Sequence, residues 1–432
     1  MSFKRTSIAY GSALIINRAA SFLLLPLLTS SLSPDLFGLL SVLQFTYMAA
    51  LMFAIHGLDD ASVRFCTSND TNQRQFFKST LTETSLFSVI TLPILWGIIT
   101  MFSTTESSII SLLIPLYLWV LADTVYIPTA NICRANGKAA QVSAALIIQG
   151  LLTWILVWIS LKYFNMGLSG ILTAYALSSI LPLPILLQGI TSQTKSGATK
   201  SISFKDVRKY AIPAGIISLF TVGINFSDRY IIAKLGSTHD AGLYSVGFRL
   251  GMIVALAVSA FRMAWYPIAY KQLEDGHKKG MFQKESFKII LALSALALLV
   301  SFFRNEIAAL TLFGKNIIAP EYHDGLSIIP IITLAFVFDG ASTLADTALF
   351  YKQKMKLLLT ITSIVLTIKV SLSILLLQFG IIGVALSSLI AFSLQTIIIE
   401  VTNRKYLSIQ ILGLKHFVLL ALVSAAIFVS YI

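Results

Sequence analysis

The chain has 432 residues, of which 56% are hydrophobic and only 12% charged, with a formal net charge of +13. Soluble domains carry roughly 25% charged residues, so an aqueous fold cannot bury this much apolar sequence and the bilayer must solvate most of the surface. Two cysteines, Cys66 and Cys133, and five scattered histidines exclude a disulfide framework and an HExxH metal pair.

Apolar runs of about 20 residues suit helices crossing a ~30 Å hydrocarbon core. In chain order they fall at Ile8–Ser30, Leu36–Ile55, Leu81–Met101, Ile109–Ala130, Ala140–Leu161 and Leu168–Leu187. The second series is Ile212–Leu235, Gly242–Trp265, Phe287–Phe303, Ser327–Phe350, Leu357–Leu377 and Ile381–Val401. A last apolar run, His416–Ile432, is the candidate for an extra helix. The first run follows Lys4 and Arg5, is too long for a signal-peptide core and lacks a small-residue cleavage site, so it reads as a retained span. The fold class expected is an all-α polytopic membrane protein of 12 core spans. Its domains are a six-helix bundle over 1–190, a polar link over 191–209, a second bundle over 210–402 and a tail over 403–432.

The link, TSQTKSGATKSISFKDVRK, is rich in Ser, Thr and Lys, as linkers are. With the N-terminus cytoplasmic, 23 Lys and Arg fall on the inner side and four on the outer: Lys162, Lys234, Arg304 and Lys315. That asymmetry is the positive-inside pattern. It accounts for the net charge without a nucleic-acid partner.

The two series repeat each other weakly. LSPDLFGLLSV, Leu32 to Val42, matches LGSTHDAGLYSV, Leu235 to Val246, with one insertion. Gly167–Leu168–Ser169–Gly170 before the sixth span mirrors Gly380–Ile381–Ile382–Gly383 before the twelfth. Six spans is an even number, so both halves run the same way through the membrane. Parallel repeats about an axis along the membrane normal, with a cavity between them, are therefore expected.

Five basic residues fall inside spans: Arg18, Arg229, Arg249, Arg262 and Lys369. An arginine at the bilayer centre costs about 2.5–3.5 kcal/mol on insertion scales, so each should face protein or water. Arg18, Arg249 and Lys369 are the candidates for a cationic lumen, because a guanidinium can grip phosphate oxygens in a fork. The alternative for Arg18 is a pair with Asp123 or Asp339. Arg229, next to Asp228 and one turn beyond Asn225, fits a helix-positioning network as well as a substrate contact. Arg262, close to Trp265, suits snorkelling to the interface. The intramembrane acids are Asp123, Asp339, Asp346 and Glu400. Asp339 and Asp123 are the candidates for binding a proton or Na⁺ and so coupling transport to a gradient; the alternative is that they neutralise the basic residues.

LTSSLSPDLFGLLSV, and above all KYAIPAGIISLFTVGINFSDRYIIAKLGSTHDAGLYSVGFRL with Pro213, Asp228, Arg229, Gly242, Tyr244 and Ser245, resemble the polysaccharide transporter family. AWYPIAY, APEYHDGLSIIPII and FGIIGVALSS follow in the order that family has. The resemblance covers about 400 residues, and it lies in the order and spacing of motifs that are individually degenerate. It implies the MOP exporter fold, MATE-like, and the role of a Wzx-type O-antigen flippase in the bacterial inner membrane. Such a protein turns an undecaprenyl-pyrophosphate-linked oligosaccharide from the cytoplasmic to the periplasmic leaflet by alternating access. The implied partners are that lipid-linked substrate, membrane lipids, a polysaccharide polymerase and a chain-length regulator, with no cofactor beyond an H⁺ or Na⁺ gradient. Within transport the alternatives are another lipid-linked glycan or drug export on the same fold. A membrane polymerase or glycosyltransferase is the alternative from another class. The short outer loops and the lack of an Asp-x-Asp pair or His-carboxylate cluster argue against it.

Overall fold

The computed structural model describes residues 17, 22–66, 73–102, 106–191, 203–274, 281–312, 314–407 and 411–429. They are almost wholly helical. After α1 (residues 22–29) come α2 (Pro34–Ile55), α3 (Leu58–Cys66), α4 (Gln73–Thr100), α5 (Glu106–Ala135) and α6 (Ala139–Lys162). Next are α7 (Gly167–Ile180), α8 (Leu183–Thr191), α9 (Phe204–Leu235), α10 (Thr238–Glu274), α11 (Met281–Phe302) and α12 (Arg304–Ala309). The series closes with α13 (Ile329–Tyr351), α14 (Met355–Leu376), α15 (Gly380–Thr402) and α16 (Leu414–Val429).

Ten helical stretches among the described residues are long and apolar enough to cross a membrane. One of them, Met355–Lys405, is broken at Gly380 into α14 and α15. Eleven of the twelve expected core spans are thus present as helices among the described residues, while the first lies largely outside them. The protein is a multi-pass membrane protein. The expected single span Leu168–Leu187 is two helices, α7 and α8, because Pro182 and Pro184 lie at the break and proline cannot donate to the helical ladder. One small departure from all-α structure follows α12, where Thr311–Leu312 pairs antiparallel with Lys315–Asn316. A 3₁₀ segment, Pro320–Ile328, then leads into α13. The last helix, α16, has 16 residues among those described. At 1.5 Å per residue that is about 24 Å, short of the ~30 Å core unless its ends are wetted.

The chain divides into two compact units. One is Met1–Ser31 with Val42–Val222, the other Leu32–Ser41 with Gly223–Ile432. Within the first, α5 packs on α4 and α7, and α7 also packs on α6. Within the second, α13 is buried nearly all round, against α10, α11 and α15. The expected link 191–209 lies outside the described residues over 192–202, and α9 already begins at Phe204.

The repeat seen in the sequence has structural content inside the second unit. A Cβ on Gly38 would collide with the Thr238 carbonyl oxygen, and one on Gly242 with the Pro34 carbonyl oxygen. The two matched turns therefore pack backbone to backbone. Such close approach is what small residues allow where lipid tails give apolar side chains no advantage. The later pair also keeps its role. Gly167 and Gly380 open α7 and α15 at φ values of 56° and 67°, a left-handed conformation that glycine adopts without Cβ strain.

Candidate functional site

In the second unit the charged residues of α9, α10, α14 and α15 are the centre of interest. Lys369 is completely buried, and its ammonium is bonded to the Asp228 carboxylate of α9. It also donates to Ser388 Oγ at 2.8 Å and Ser387 Oγ at 2.9 Å on α15, and lies 3.3 Å from Ser373 Oγ one turn along α14. Tyr244 on α10 donates to the other Asp228 oxygen at 2.6 Å. Every member of this cluster is buried. Burial of a charge is tolerable only when it is paired and hydrogen-bonded, and here both charges are.

Arg229 follows Asp228 on α9 and is also buried. Its guanidinium lies 4.0 Å from the centre of the Phe248 ring and 4.8 Å from that of Phe226. It donates to the Asn225 carbonyl at 2.6 Å. Cation–π contact and one backbone acceptor hold it. Arg249, five residues beyond Tyr244 on α10, is only half-buried, with its guanidinium 4.9 Å from the centre of the Phe37 ring. Arg229 and Lys369 thus meet around Asp228, and Arg249, within electrostatic reach of Arg229, lies over Phe37 in the first turn of α2. Arg18 lies outside the described residues.

The two acids singled out for coupling sit in different surroundings. Asp123 on α5, in the first unit, is buried and accepts the Tyr47 hydroxyl, whose ring stacks on Trp119. Asp339 on α13, in the second unit, is half-buried and within electrostatic reach of Arg262. Arg262 donates to the Tyr266 hydroxyl at 2.9 Å, and that hydroxyl lies 3.4 Å from Asp346. Arg262 is itself exposed.

A cluster in the first unit escaped the sequence reading. A cavity of about 340 Å³ is walled by Met52, Phe53, Phe87, Ile212, Ile216 and Leu219, and has a charged end made by His56, Glu83 and Arg208. Arg208 on α9 grips both Glu83 oxygens at 2.9 Å, and His56 Nε2 lies 3.1 Å from Oε1. The backbone sets this up. His56 (φ 36°) and Gly57 (φ 84°) end α2 in left-handed conformations, and a Cβ on Gly57 or Gly215 would run into the facing backbone of α9 or α2. The available signal was Glu83, a lone acid three residues inside an apolar run, combined with His-Gly at the end of another. Because Glu83 is buried and Arg208 half exposed, Arg208→Ala leaves the carboxylate with His56 as its one remaining side-chain partner among those described, while Glu83→Gln strands no buried charge. The expected result is a lower thermal midpoint for Arg208→Ala, partly restored in the Arg208→Ala/Glu83→Gln double variant. Thermal unfolding of the purified chain in detergent checks it.

The sequence and the fold were compared with known proteins. The model of the family described as "Polysaccharide biosynthesis protein" matches residues 3–272. No curated protein matches the chain by sequence. Among solved structures, the lipid II flippase MurJ in an inward closed conformation aligns at 15% identity over 99% of this chain and 92% of that chain, with a TM-score of 0.74. An inward-facing multidrug resistance MATE family transporter of the MOP superfamily aligns at 16% identity over 92% of this chain and 94% of that chain, with a TM-score of 0.70. A mutant of the Vibrio cholerae MATE transporter VcmN aligns at 15% identity over 91% of this chain and 98% of that chain, with a TM-score of 0.63. Identities this low make the likeness one of fold, and the fold is that of MOP-superfamily transporters. The family match spans well over half of the chain: this protein belongs to the polysaccharide biosynthesis protein family.

Proposed function

We propose that the chain is a flippase for a lipid-linked glycan. In its most specific form, the cargo is an undecaprenyl-pyrophosphate-linked oligosaccharide of O-antigen type. It passes from the cytoplasmic to the periplasmic leaflet of a bacterial inner membrane by alternating access. The observation that carries this reading is membership of a polysaccharide-biosynthesis family in a chain whose fold is shared with a lipid II flippase. Such cargo combines an apolar tail, which stays in lipid, with an anionic pyrophosphate and polar sugars that need a protein path. Translocation makes and breaks no covalent bond, so the reading calls for binding groups and no nucleophile.

Arg249, Arg18 and Arg229 are the proposed contacts for the pyrophosphate, by charge-assisted forked hydrogen bonds. Arg249 leads, because its side chain is the least enclosed of the described pair. Lys369 acts through Asp228 as a positioning residue. Asp339, near Asp346 and Arg262, is the proposed coupling acid for H⁺ or Na⁺.

Reconstitution of the full chain in vesicles with a fluorescent prenyl-pyrophosphoryl sugar tests the reading. Wild type is expected to move the label between leaflets. Arg249→Ala is expected to slow it by about 10- to 100-fold, the equivalent of losing a hydrogen bond to a charged group worth ~1.5–3 kcal/mol. The MATE likeness favours a second reading, drug export. No movement of the lipid under any ion gradient, together with export of a cationic dye, would replace the first reading by the second.

A further inference from the structure

The surroundings of Lys369 contain more oxygen than a salt bridge needs. Neutralising Asp228 takes one ammonium, and replacing a buried ion pair by apolar side chains is often neutral or stabilising. Here three further hydroxyls from two helices converge on Nζ: Ser373, Ser387 and Ser388. Their protons are directed elsewhere. Ser387 donates to the Val384 carbonyl at 2.6 Å, Ser388 has Asp228 at 3.3 Å, and Ser373 has Ser387 Oγ at 2.8 Å and Asp228 at 3.2 Å as acceptors. Each hydroxyl therefore turns lone pairs toward the ammonium. The shell is one carboxylate oxygen and three hydroxyl oxygens, all of them hard ligands, inside a protein core that excludes water. Hard oxygen ligands around a dehydrated centre are how proteins hold alkali and alkaline-earth cations. The two shortest hydroxyl contacts, 2.8 and 2.9 Å, fit an ammonium. Potassium has nearly the same ionic size, and sodium is smaller.

We propose that this shell is a monovalent-cation site of ammonium or potassium size, in which the Lys369 ammonium is the resident ion, tethered to α14. Removal of the side chain opens the shell to a free cation of that size. The wild-type chain takes up no free ion there, so any gradient coupling in this protein resides at another group. This inference rests on the geometry of the shell and is independent of the flippase reading, and its test reads ion binding instead of transport.

The test uses the purified full chain in detergent and the variant Lys369→Ala. Thermal midpoints are measured in potassium, methylammonium, sodium and choline chlorides at one ionic strength. Wild type is expected to give the same midpoint in all four. Lys369→Ala is expected to fall by several degrees in choline and to recover saturably with potassium or methylammonium, less with sodium. Binding to the folded state alone produces such a concentration-dependent rise. Lys369→Ala/Asp228→Asn is expected to lose the response. A single variant that unfolds at one midpoint in all four salts, or gains equally from choline, overturns the proposal. Where Lys369→Ala cannot be recovered in choline, it is purified throughout in methylammonium. Recovery there supports the proposal. Failure there, with Lys369→Met/Asp228→Asn recovered in both salts, overturns it and makes the pair a plain charge neutralisation.

Discussion

Asp228→Ala is expected to destabilise the second unit by about 3–5 kcal/mol, the cost of leaving one member of a buried ion pair without its partner. The ammonium of Lys369 would remain in a fully buried position with only three serine hydroxyls around it. Tyr244 would lose its acceptor at the same time. The side chain of Lys369 cannot swing to the interface, because α9, α10, α14 and α15 all contribute to its enclosure and its whole stem is covered. Relief comes only by deprotonation or by separating helices, and both cost free energy. Asp228→Ala/Lys369→Met removes both charges and should lie much nearer wild type. A double-mutant cycle on thermal unfolding measures the coupling. A coupling energy near zero would show that the two charges are not paired in the folded protein.

Gly242→Val is the second large effect. The new Cβ meets the carbonyl oxygen of Pro34, a backbone atom that no rotamer change can move aside. The starts of α2 and α10 must separate. Overpacking of well-packed interiors costs typically ~1–3 kcal/mol, and a backbone collision belongs at or above the top of that range. Thr238 Oγ1 donates to Asp35 across the same contact at 2.8 Å. That bond is exposed and adds little, so the steric term decides. Gly38→Val is expected to behave alike, since its Cβ meets the Thr238 carbonyl oxygen. Gly97→Ala is the control. Nothing lies within 4 Å of its added Cβ, and α4 continues on both sides. Exchanging glycine for alanine inside a helix gains up to about 1 kcal/mol of propensity, so the control should be neutral or slightly stabilised. Thermal midpoints and recovery from membranes read all three. A Gly242→Val variant as stable as the Gly97→Ala control would remove the close-packed turn.

The helical spans were legible because their signal is local. A run such as Leu357–Leu377 is apolar over its whole length, so hydrophobicity alone marks the helix, and α14 runs Met355–Leu376. The repeat was legible for the same reason, since Gly38 and Gly242 fall at matched places in short local motifs, each five residues into its helix. The division of α7 from α8 was written in Pro182 and Pro184, but an apolar window that averages over both prolines hides it.

Side-chain partnership is another matter, because it depends on which residues distant in sequence share an environment. Lys369 and Asp228 are 141 positions apart, and Glu83 and Arg208 are 125 apart. Composition made an intramembrane Lys369 conspicuous, and its charge suggested a cargo contact. Only the convergence of α9, α10, α14 and α15 reveals that its ammonium is already fully bonded. Glu83 and His56 drew no attention in the sequence, since neither is unusual near the end of a span. The left-handed end of α2 at His56–Gly57 and the close approach of α9 at Gly215 bring them to one cavity wall. The sequence by itself determined a membrane protein, its spans and its internal repeat, since hydrophobicity and turn chemistry act over a few residues. Tertiary structure alone decided which intramembrane charges meet a partner distant in sequence, as Lys369 meets Asp228, because pairing of buried charges is settled by helix packing across the whole chain.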